Sequence, residues 1–123
     1  MADQALILYA HGARDPRWAE PFRQIAQRVA ALRPDIPVAL AFLEHMNPDL
    51  TAAAAELARQ GARQIRVVPL FFGRGGHLRE DFPVQLESAK AAAPDVEFEV
   101  SMAAGEAPEV IEALATFALR GVT

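Results

Sequence analysis

The sequence predicts an α/β domain: a doubly wound, four-stranded parallel sheet in the order 2-1-3-4, with helices on both faces. Three observations carry this. Apolar runs of strand length alternate four times with segments whose apolar residues recur every three or four positions. The chain has 123 residues, enough for one domain and short for two. The third apolar run, I-R-V-V-P-L-F-F, breaks directly into G-R-G-G-H, a glycine-rich loop of the kind found at the ligand edge of such sheets.

In chain order, the first strand is expected over 5–10 (A-L-I-L-Y-A), followed by the loop H-G-A-R-D-P. The first helix falls within 16–33. Trp18, Phe22, Ile25, Val29 and Leu32 form one face of it, and Pro21 lies in its first turn or bends the helix there. A second strand spans 38–43. Asn47 then reads as a helix N-cap with Pro48 at the first helical position. The second helix runs to about Gln60, buries Leu50, Ala54 and Leu57, and ends at Gly61. The third strand covers 65–71. A third helix is expected over 81–93 with Pro83 in its first turn. A fourth strand over 96–101 alternates more and belongs at an edge. Pro108 opens a fourth helix that turns Val110, Ile111, Leu114 and Phe117 inward.

Composition narrows the function. Hydrophobic residues make up 52% of the chain and the formal net charge is -4, with the two signs interspersed, so a basic nucleic-acid-binding stripe is not expected. There are no cysteines, so any metal must rest on His, Asp or Glu. No apolar run approaches the roughly 20 residues that span a bilayer, and M-A-D-Q does not read as a signal peptide. A soluble cytoplasmic protein is expected.

In this topology every strand-to-helix loop lies on one rim, and the first and third strands meet at the switch point. His11, Glu44 and His77 each follow a strand and so converge on that rim. Two imidazoles and a carboxylate suit a divalent first-row metal and leave positions open for a second ligand set; either histidine can also accept a proton. Read singly, each histidine is more simply a solvated or hydrogen-bonded loop residue, and Glu44 a solvated or capping group; it is their shared rim that favours a site. His45 adjoins Glu44, but side chains of adjacent residues diverge, which argues against it as a ligand. Arg14, Arg74 and Arg79 suit a substrate bearing carboxylates, or else they pair with neighbouring Asp15, Glu80 and Asp81. Gly75 and Gly76, with Gly73, leave room for a flat ligand on the loop or serve only as turn residues.

The motifs H-G-A-R-D-P at 11–16, F-L-E at 42–44 and V-V-P-L-F-F-G-R-G-G-H-L-R-E-D at 67–81 together resemble the small class II tetrapyrrole chelatases of the CbiX/SirB type. The resemblance covers nearly the whole chain. It implies a chelatase-like, flavodoxin-like fold and insertion of Co²⁺ or Fe²⁺ (nickel, Ni²⁺, in some archaeal members) into sirohydrochlorin without a nucleotide, for cobalamin or sirohaem synthesis. It implies His11, His77 and Glu44 as metal-binding and catalytic residues. It also implies a homodimer in which this single domain is half of a two-domain unit. Ala13 and His45-Met46 depart from the usual pattern, where serine and small or aliphatic residues stand. Two other readings compete. One is a metal or tetrapyrrole carrier of the same fold. The other is a histidine phosphatase, which would need an arginine where Ala10 stands.

Overall fold

The strand β1 (Gln4–Ala10) lies at the centre of a four-stranded sheet in which β2 (Val38–Phe42) pairs with one edge of β1 and β3 (Gln64–Pro69) with the other. The last strand, β4 (Glu97–Val100), pairs with β3 and forms an edge. All pairings are parallel and the order is 2-1-3-4, as expected. The computed structural model describes residues 3–73 and 76–123 and, within them, every side chain outside 76–79.

Between the strands run α1 (Glu20–Leu32), α2 (Leu50–Arg59) and α3 (Gly76–Ala92), and α4 (Pro108–Leu119) closes the chain. A short 3₁₀ helix, Pro16–Ala19, precedes α1; its cap is Asp15, which accepts from the Arg17 N–H. The sheet alternates as its period of two requires. Ala5, Ile7 and Tyr9 of β1, with Ile65 and Val67 of β3, point to one face, where they pack with Leu50, Ala53, Ala54 and Leu57 of α2 and Phe82 and Ala89 of α3. On the other face the enclosed cluster is small: Ala10, Ala19 and Phe42, backed by Trp18, Phe22, Leu40 and Met46.

Several expectations need correcting. The cap of α2 is Asp49, whose carboxylate accepts from the Ala52 N–H at 2.8 Å; the Asn47-Pro48 bond is cis and lies before the helix. An Asp two residues further on satisfies the free N–H groups better than Asn47 can from its position. Gly61 does end α2. At φ 108°, with Gly61 N–H bonded to Ala58 O and Ala62 N–H to Leu57 O, it forms a Schellman turn. The helix α3 starts at Gly76, about a turn earlier than expected, so Pro83 lies inside it. His77 therefore falls in the first turn of α3 rather than in a loop. The largest departure is α4: none of its residues is buried, and Ile111, Leu114 and Phe117 are 50%, 41% and 61% exposed. They do not point into this domain's core. α1 likewise buries none, with Ile25 and Leu32 exposed.

Candidate metal and tetrapyrrole site

The carboxyl ends of β1 and β2 are held together beyond the strands. Leu43 N–H donates to Ala10 O at 2.9 Å and Glu44 N–H to His11 O at 3.0 Å, so the parallel ladder continues into both loops. Gly12 makes this possible. Its φ is 96°, and any Cβ there would overlap the Glu44 carbonyl oxygen. The two loops meet so closely that His11 Nε2 stands 3.0 Å from Glu44 Oε2. Both side chains keep partial access to solvent, at 42% and 35% exposed.

The Glu44 loop is also braced from beneath. Tyr9, wholly buried in β1, donates its hydroxyl to Gln85 Oε1 at 2.5 Å, and Gln85 Nε2 donates to the Leu43 carbonyl at 2.9 Å. Burial pushes the Tyr9 phenol well above its ordinary range, with Asp81, Asp49 and Glu44 adding to the effect, so it stays a neutral donor. Sequence reasoning missed Gln85. Its polar side chain in α3 gives no sign that it reaches the β2 loop.

Beside His11 a groove of about 580 Å³ opens between α1 and α4, over the switch point between β1 and β3. Trp18, Phe22, Leu70, Phe72, Val110 and Leu114 give it apolar walls, and its size is that of a small-molecule site. Its floor is closed at the β4 end by Gly105, whose N–H donates to Phe71 O at 2.8 Å and whose missing Cβ leaves room for the Phe72 backbone. Gly105 is a second residue that sequence reasoning missed, although A-A-G-E after the fourth strand marks a tight turn on the same rim.

His11 and Glu44 are thus brought together as expected. Arg14 is exposed on the loop after β1. Arg74 and Gly75 lie outside the described residues, as do the side chains of His77 and Arg79, while Gly76 is the first residue of α3. Among the described residues no three imidazole, thiolate or carboxylate groups already enclose an ion-sized site. An imidazole and a carboxylate at hydrogen-bond separation, open on one side to an apolar groove, can hold a divalent metal and accept a proton from a ligand bound alongside.

The CbiX family model matches residues 5–118. A sirohydrochlorin cobaltochelatase of Sulfurisphaera tokodaii is 36% identical over 85 residues, which are 69% of each chain. One of Methanosarcina acetivorans is 33% identical over 78 residues, 63% of this chain and 60% of the relative, so less than two thirds of that protein is matched. Among solved structures, a cobalamin biosynthesis CbiX protein from Marinobacter aquaeolei superposes with a TM-score of 0.81 at 32% identity, covering 94% of this chain and 93% of that one. SirB from Bacillus subtilis with Fe³⁺ gives 0.81 at 25% identity, over 98% of this chain but 48% of its own.

Proposed function

The chain belongs to the CbiX family, and from that premise we propose that it inserts a divalent metal, Co²⁺ or Fe²⁺, into sirohydrochlorin without a nucleotide. The observation that carries this is the pairing of His11 with Glu44 at 3.0 Å on the lip of an apolar groove. The groove takes the flat macrocycle between the α1 and α4 walls. His11, Glu44 and His77 hold the metal at its edge, weakly enough for it to leave. Arg14, Arg74 and Arg79, with Gly75 and Gly76 leaving the loop uncluttered, meet the substrate carboxylates. The two pyrrole N–H protons leave as the metal enters, and a histidine of the site accepts one of them. Pyrrole nitrogens then displace the protein ligands in turn. Cobalt and iron both appear with SirB of Bacillus subtilis in solved structures, which supports these two metals.

The active unit in this reading is a homodimer. The SirB chain is matched over 48% of its length by nearly all of this one, so two copies of this domain account for a chain of that size. The exposed apolar residues of α4 are available for such a contact.

The test is an anaerobic absorbance time course of sirohydrochlorin with Co²⁺ and with Fe²⁺. The protein should shift the visible bands faster than the metal alone. His11→Ala should return the rate to the uncatalysed one with the far-UV circular dichroism unchanged. No acceleration by folded protein with either metal would overturn the proposal and leave a carrier.

A further inference from the structure

His45 is the one non-glycine residue with a positive φ among the described residues, at 67°. A histidine in that conformation is strained relative to the usual backbone regions. The strain has a visible geometric result. In extended backbone the side chains of residues 44 and 45 would diverge; the left-handed turn instead brings His45 Nε2 to 3.7 Å from Glu44 Oε2. His11 Nε2 reaches that same oxygen at 3.0 Å, so one carboxylate oxygen is flanked by two imidazoles. The His45 side chain is 36% exposed and open to solutes.

We propose that His45 is a further ligand for the incoming metal, joining the His11–Glu44 pair at the solvent side of the groove after a small side-chain rotation, since the three do not enclose an ion-sized site as they stand; the inference rests on the chelatase reading above. Two donors bound at roughly 2.1 Å and separated by 90–110° at the metal stand roughly 3.0–3.4 Å apart. The His11–Glu44 pair already meets this spacing. His45 is a few tenths of an ångström outside it, a gap that a small rotation of either side chain closes. Both imidazole nitrogens suit Co²⁺ and Fe²⁺. The loop that presents His45 is fixed at both ends, by Glu44 N–H to His11 O and by Phe42 N–H to Pro48 O at 3.0 Å, so the extra donor is held in place rather than swinging freely. A third protein donor tightens capture of the free metal without entering the groove where the macrocycle lies. Its loss therefore acts on the metal step.

His45→Gly is the decisive variant, because glycine accepts the positive φ and removes only the imidazole. The probe is Co²⁺ alone, titrated anaerobically into the purified protein and followed by its visible d–d bands. Removing His45 should weaken Co²⁺ binding on the order of tenfold, change the band intensities, and raise the KM for metal while leaving kcat unchanged; added imidazole should restore part of the affinity. Co²⁺ affinity and spectrum identical to wild type in folded His45→Gly would overturn the assignment of His45 while wild-type insertion still stands. Wild-type protein that neither binds Co²⁺ nor accelerates insertion would overturn both.

Discussion

On the α2/α3 face of the sheet Leu50, Ala54, Ile65 and Val67 are all but fully enclosed, whereas on the opposite face neither α1 nor α4 buries a single residue. Both faces are lined by apolar strand residues, so the difference lies in the helices. The helices α2 and α3 pack on the sheet and on each other, with Thr51 Oγ1 donating to Ser88 Oγ at 2.9 Å across their exposed side. The helices α1 and α4 stand apart, and the groove beside His11 is the space between them. One face holds the fold together and the other keeps a groove beside His11 and an uncovered apolar helix surface. Sites need such a division, because a face packed to full density has no room for a macrocycle.

The sharpest way to break the comparison is to truncate one leucine on each face. Leu50→Ala, at a fully buried position, should lower the unfolding free energy by about 3 kcal/mol, the transfer term plus a cavity. Leu114→Ala, on a side chain 41% exposed, should cost less than about 1 kcal/mol in dilute monomer. Urea melts at two protein concentrations check both. If two copies cover α4, the loss at Leu114 grows with concentration while that at Leu50 does not. Equal losses at low concentration would mean that the open face is as well packed as the closed one.

The next effect tests how the closed face holds the site. Gln85 joins the buried Tyr9 hydroxyl to the Leu43 carbonyl. Gln85→Leu strands two partly buried polar groups and should cost about 1–3 kcal/mol. Tyr9→Phe added to it removes one of the stranded groups, so the double variant should lose less than the sum of the singles. Strict additivity in a double-mutant cycle would show that the two side chains do not act together. Co²⁺ binding should weaken in Gln85→Leu, because the loop carrying Glu44 loses its brace.

The strand order, the parallel pairing and the placement of His11 beside Glu44 were legible in the sequence because they follow from local patterns plus topology. Strand-length apolar runs set the sheet, and the switch-point rule puts the first two strand ends on one rim. The inward face of α4 was misread for a physical reason: Ile111, Leu114 and Phe117 show that a helix has an apolar face, but not that the surface covering it belongs to this chain. The cap at Asp49 and the turn at His45 depend on single backbone angles: adjacent side chains diverge in extended backbone, but not where φ is 67°. Gln85 was invisible because its partners are 76 and 42 residues away.

The smallest expected effect sharpens the comparison through acid. Among the described residues no buried position carries a charged side chain, and on the outer surface of the closed face the Arg59 guanidinium holds the Glu56 carboxyl down to about 2, so it keeps its charge to lower pH than an ordinary carboxylate. The open face begins at Asp15, whose carboxylate accepts from the Arg17 N–H at 2.9 Å and from its guanidinium at 2.8 Å. That side-chain bond, with the backbone one, holds the Asp15 carboxyl below its ordinary value of 3.8. Since the folded value is depressed, the contribution is fully present above the unfolded value and is lost as pH falls through the folded one. The turn it caps carries Trp18, the chain's single tryptophan, stacked on Phe22 with ring centroids 4.6 Å apart on the groove wall. Trp18 emission should therefore begin to change as pH drops below about 3.8 while far-UV circular dichroism, which reads all four helices together, holds. In Asp15→Asn the tryptophan transition should disappear from that range. Emission and dichroism moving together in the wild type would mean that acid unfolds both faces as one unit and that the open face has no separate stability.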